Sequence, residues 1–258
     1  MKFSNKTIDF LKKAGRQKKE TWLEKNREEY EQVLLAPMQH LAATLKKELS
    51  PIAQDYNFPQ KGISRMKRSA MSVAERGGGI FKNWVNYSAS RPRTSLFEHN
   101  PNIFFLINSE DEKDPILLAG GLYMPSSRQM RALREVISID ASAFERLFAT
   151  KEFKASFPDG FSDERKSTRV PRGYDANHPK IEWIKLQGFF VWKPYSRREF
   201  GSADFAKRVA TDARQILRLN KIMEQVLSGR TITEKKEAIA ERLEKIEKTS
   251  ATLHTFDF

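Results

Sequence analysis

The chain has 258 residues with a hydrophobic content of 39% and an aromatic content of 11%, which excludes a disordered chain and leaves room for a sizeable core. It contains no cysteine, which excludes disulfides, thiolate nucleophiles and cysteine-ligated zinc. Its 46 basic and 33 acidic residues leave a net charge of +13, a field that gathers anions such as nucleic acid, anionic lipid or phosphorylated metabolites.

No window approaches 18 consecutive apolar residues, so no membrane span is expected. The first residues carry no apolar run with a small-residue cleavage site, and the absence of cysteine fits a reducing compartment, so a cytoplasmic location is expected. The charge is unevenly spread. Residues 61–93 hold eight basic side chains against Glu75 alone, a surplus of +7, whereas residues 230–258 carry six of each sign.

Taken in order, Ile8, Leu11 and Ala14 fall at helical spacing and Gly15 can close a short first helix. From Thr21 to Leu49 a longer apolar stripe runs through Trp22, Tyr30, Leu34, Leu41 and Leu45. Pro37 inside it predicts a kink or two abutting helices. Residues 50–61 read as a loop. Short β-branched and aromatic segments follow at Ile63–Arg68, Ile80–Ala89, Asn102–Asn108 and Ile116–Tyr123, and predict three or four strands of a largely antiparallel sheet. Gly77-Gly78-Gly79 reads as the connection between the first two. It lacks the lysine and hydroxyl spacing of a phosphate-binding loop.

Gly120-Gly121 predicts a tight bend at the end of a strand. Ser126 with Gln129 has capping-box spacing and predicts a helix start, and Asp140 a second one. The stretch RVPRGYDANHP at 169–179 sets two arginines, a tyrosine and a histidine between two prolines, the pattern of a rigid, non-repetitive loop. His178 and Pro179 predict the start of a short helix containing Trp183. Gln187–Lys193 is a further strand. Ser202 is the expected cap of a long helix closed by Gly229, and a charged helix with Ile239, Leu243 and Ile246 on a narrow stripe follows from Thr233. These elements predict one α+β domain over 1–228, with a mainly antiparallel sheet of four to six strands flanked by helices. Residues 229–258 are expected to form an appended charged amphipathic helix with a short tail, suited to docking on a partner or a second copy.

Several of these motifs together resemble a conserved hypothetical bacterial family, a domain of unknown function. They are Trp22, Asn26, Arg27 and Tyr30 with Pro37 behind them, the GGLYMP at 120–125, and the VPRGYDANHP at 170–179. The likeness spans roughly residues 7–228. The family's R-x2-R-D-x-R-F signature is met by Arg65 and Arg68, but Ser69, Met71 and Ser72 replace the Asp, the third Arg and the Phe. Lys82 matches the following lysine, while Tyr87 stands two residues beyond the expected tyrosine, a position that Val85 fills. The resemblance implies a fold and no activity.

For chemistry, the four histidines are too widely spaced to pair at metal-ligand distance, so no metal site is expected. Arginine offers a planar fork of donors suited to phosphate or carboxylate. The expected ligand site therefore gathers Arg65, Arg68 and Lys82 with Arg169, Arg172, Tyr174 and His178 in one basic cleft lined by Tyr123. The reading is recognition of an anionic ligand. The alternatives are an enzyme acting on a phosphorylated substrate, with His178 or Tyr174 moving a proton, and a module for nucleic acid or a protein partner.

Overall fold

In the structure, a computed structural model that describes residues 2–59, 63–93, 95 and 98–229, the chain opens with helix α1 (Asn5–Gly15). Its buried stripe comprises Thr7, Ile8, Phe10, Leu11 and Ala14. The long stripe after it is divided as Pro37 requires. Helices α2 (Thr21–Lys25) and α3 (Arg27–Tyr30) run into a π-helical turn at Glu31–Leu35, and α4 (Ala36–Leu49) restarts with Pro37 in its first turn. Pro37 has no N–H to give to the carbonyl of Val33 four residues back. The fully buried Thr7 hydroxyl donates to that carbonyl instead, at 2.6 Å.

The expected first strand is not formed. Ile63 and Lys67 make only isolated antiparallel bridges, to Tyr87 and Phe81. The residues that follow wind into α5 (Ala70–Arg76), a helix the sequence reading did not contain. Four strands then build one antiparallel meander in chain order: β1 (Trp84–Ser90), β2 (Asn102–Asn108), β3 (Ile116–Leu122) and β4 (Phe189–Pro194). Tyr87 lies opposite Phe105, Phe105 opposite Leu118, and Gly120 opposite Val191. Between β3 and β4 lie α6 (Ser127–Ile139), α7 (Ser142–Ala149), α8 (Lys151–Ser156) and α9 (Ile181–Ile184). After β4 come α10 (Arg197–Phe200) and the long α11 (Phe205–Leu227).

Alternation along the strands sends Val85, Tyr87, Ile103, Phe105, Ile107 and Leu118 into the core. Each such side chain contributes about 1.5–3 kcal/mol when fully buried. Helix α11 lies across β2 and β3 on this side and packs against α4. Gly120 is what lets it come so close, because a Cβ there would stand 2.0 Å from Cγ2 of Ile216 and 2.7 Å from the Asn102 carbonyl. The double glycine thus sits inside β3 as a helix seat, not at a bend beyond it. The capping box of Ser126 and Gln129 opens α6 as expected, whereas the N-cap of α7 is Ala141, one residue beyond the Asp140 expected there, and Asp140 accepts from the Ser142 backbone N–H at 2.9 Å in the turn before the helix. The long helix starts after Asp204, two residues later than the Ser202 cap predicted for it. The fold is α+β. The charged helix expected from Thr233 lies outside the described residues, and among those described no helix is long and apolar enough to cross a membrane.

Candidate functional site

The segment from Ser64 to Trp84 folds back on itself. Arg68 donates its backbone N–H to the Ile80 carbonyl at 2.9 Å, and Lys82 donates to the Met66 carbonyl at 2.7 Å, so 66–68 and 80–82 run side by side. Between them Ser69 caps α5, its hydroxyl accepting from the Ser72 N–H at 3.1 Å. Gly77 closes the helix at φ 61°, a left-handed value that favours glycine. Gly79 is pressed on the end of α1, where a Cβ would meet the Gly15 carbonyl oxygen at 2.2 Å. The glycine run therefore closes a helix and packs on another, and does not join two strands.

This fold-back walls a cavity of about 960 Å³. Arg65, Lys67, Arg68 and Lys82 line it, and Glu110 is the one acid among its lining residues. The four cations differ in their partners. Lys67 is paired with Glu20 at 2.7 Å. Arg68 is spent on the loop itself: Nη1 donates to the carbonyls of Gly77 (2.7 Å) and Gly79 (3.0 Å), and Nη2 to that of Ser72 (2.6 Å). Its charge is thus answered by carbonyl dipoles and, among the described residues, by no carboxylate. Arg65 is exposed and makes no hydrogen bond or ion pair with any described residue. Lys82 is half-buried, with Nζ 4.3 Å from the centroid of the Trp84 ring. Burial pulls its pKa below the usual lysine value, and no described acid opposes that shift.

The proline-bracketed loop lies elsewhere. Arg172 and Tyr174 line a separate cavity of about 660 Å³ against α6, which shares no lining residue with the first. His178 has both ring nitrogens engaged. Nδ1 accepts from the Lys180 backbone N–H at 3.0 Å, so Nε2 carries the proton and donates to the Ser138 carbonyl at 3.0 Å. It pins the loop to α6 and leaves no ring nitrogen to shuttle a proton in this arrangement. Arg169 is exposed, and the hydroxyl of Ser167 holds its backbone. Tyr123 lines a third, mainly apolar groove on the open face of the sheet, with its hydroxyl 3.2 Å from Glu164 and the Arg165 guanidinium 4.8 Å from its ring centroid. The single cleft expected from the sequence is therefore divided: Arg65, Arg68 and Lys82 come together, Arg172 and Tyr174 form a second set, and Tyr123, Arg169 and His178 join neither cavity.

Residues 6–221 match the family of conserved hypothetical proteins DUF2461. The chain belongs to that family. Nothing among curated proteins or solved structures matches it. In this DUF2461 member the sequence reading missed several residues around the cations. Ser64, Ser69 and Ser72 add hydroxyls to the first cavity, Trp84 adds its ring, and Arg131 and Arg134 add guanidiniums to the second. A signal existed for the last two, because a spacing of three puts both on one side of a helix. Among the described residues no group of three His, Asp or Glu could hold a metal ion.

Proposed function

We propose that this protein recognises a small phosphate- or carboxylate-bearing ligand in the cavity walled by Ser64–Trp84. The observation that carries the reading is the pairing of Arg65 and Lys82. Both line a cavity of ligand size, and neither has a carboxylate partner among the described residues. Bringing an ammonium out of water costs free energy unless a counter-charge repays it. An anion in the cavity would supply that counter-charge. Arg68 takes a different part. It holds the glycine loop in place and adds long-range positive potential. The hydroxyls of Ser64, Ser69 and Ser72 are additional donors for anionic oxygens.

A thermal-shift panel of inorganic phosphate, nucleotides, phosphosugars, dicarboxylates and short single-stranded DNA, at low and moderate salt, tests the reading. A ligand at ~100 times its dissociation constant stabilises by about 2.7 kcal/mol, a shift of several degrees for a protein of this size. The reading expects a small-anion response that Lys82→Met removes. A response confined to DNA and fading steeply with salt would replace it with nucleic-acid binding. No response to any anion would reject it.

A further inference from the structure

The second basic cavity, between α6 and residues 171–174, carries its own charge imbalance. Arg131 and Arg134 of α6 and Arg172 of the loop line its volume of about 660 Å³, with Glu135 as the one acid among the lining residues. Arg131 and Arg134 are three residues apart on a helix, where like charges repel. Pro171 and the His178 anchor hold Arg172 opposite them. Neither the Arg131 nor the Arg172 side chain makes a hydrogen bond or ion pair with any described residue.

Arg134 is the unusual member. It is half-buried, Nη2 donates to the Leu186 carbonyl at 2.9 Å, and Nε lies out of reach of solvent with no partner. Burial lowers its pKa from the usual guanidinium value, and no described carboxylate reaches it. Tyr174 beside it is pushed up by burial, with Arg134 and Arg131 pulling the other way. A guanidinium withdrawn from water without a counter-ion is unfavourable on its own. Two more cations beside it add to that.

We propose that this cavity binds the phosphomonoester group of a small molecule, gripped by Arg131 and Arg172 over the fixed charge of Arg134. Guanidinium forks match the oxygen geometry of a phosphate, and a dianion answers three cations better than a single carboxylate does. The cavity exceeds what a bare phosphate fills, which leaves room for the body of the molecule. This site is independent of the cavity at Ser64–Trp84, and each can fail without the other.

The test follows the arginine Nε–H resonances of the full chain by NMR as inorganic phosphate is added, with phenyl phosphate as the esterified probe. The Arg134 and Arg172 signals should move and saturate, with phenyl phosphate binding more tightly than inorganic phosphate. In Arg131→Gln/Arg172→Gln the apparent Kd read at Arg134 should rise by about tenfold or more, the loss expected for charge-assisted hydrogen bonds. Lys82→Gln should leave that Kd unchanged. An Arg134 signal that stays still, or the same Kd in the double variant as in the wild type, would overturn the proposal.

Discussion

Arg68 reaches the carbonyl of Gly79 at 3.0 Å with the same Nη1 that donates to Gly77 at 2.7 Å, so one side chain ties the end of α5 to the strand-like segment that returns beside it. Lysine cannot reproduce that fork. Arg68→Lys should lower unfolding free energy by about 1–3 kcal/mol and weaken anion binding together. Arg65→Gln, at an exposed side chain with no described partner, should keep stability within about 0.5 kcal/mol and weaken anion binding alone. Denaturant unfolding of both variants, set beside a phosphate titration, separates the framework arginine from the ligand-facing one.

Lys82 gives the site a pH dependence with a definite sign. Burial lowers its pKa in the fold, so between that lowered value and the unfolded value the unfolded chain holds the extra proton, and stability rises with pH across this window. An anion favours the ammonium form. Binding should therefore be strongest below the lowered pKa and weaken as pH rises through it, while saturating phosphate should raise the Lys82 pKa. Titrating the Lys82 Cε resonance with and without phosphate reads this directly, and an identical pKa in both conditions would contradict it.

Gly120 sets the distance between the sheet and α11. Gly120→Ala should cost about 1–3 kcal/mol or more, because the new methyl meets both Ile216 and the Asn102 carbonyl. Ile216→Ala is itself costly at a fully buried side chain, but combined with Gly120→Ala it should give a loss smaller than the sum of the two single losses, because it removes one of the two clashes. Thermal or denaturant unfolding of the single and double variants measures the coupling.

Thr7 answers a carbonyl that Pro37 leaves without its usual donor. Thr7→Val keeps the shape and removes the donor, and a buried acceptor left without a partner costs about 1–3 kcal/mol. Combining Thr7→Val with Pro37→Ala, which restores a backbone N–H at that position, should give a smaller loss than the sum of the two single changes.

Much of the fold was legible because local patterns and burial agree. The alternating pattern of Asn102–Asn108 is a strand because Ile103, Phe105 and Ile107 face one core, and Ser126 with Gln129 starts α6 by capping alone. The segment 63–82 was not legible. Ile63–Arg68 has only Ile63 as a strand-favouring residue and meets its partners only at isolated bridges, and α5 is under two turns long with no fully buried side chain described. Ala70, Met71, Ala74, Glu75 and Arg76 are good helix formers and Ser69 and Gly77 supply a cap and a stop, but no buried apolar stripe among the described residues marks the segment. For the site, charge density pointed to Arg65, Arg68 and Lys82 together. The composition of the loop at 169–179 points to the same cleft, but composition carries no information about distance. His178 settles where the loop goes by bonding to Ser138 of α6.

The most direct test of the account is a crystal of the full chain soaked in tungstate, an anomalously scattering tetrahedral oxyanion that stands in for phosphate. The account predicts an anomalous peak inside the Ser64–Trp84 cavity, within hydrogen-bonding distance of both the Arg65 guanidinium and Lys82 Nζ, and lost in Lys82→Met. A cavity that holds only water at saturating tungstate, with Arg65 and Lys82 turned to solvent, would contradict it.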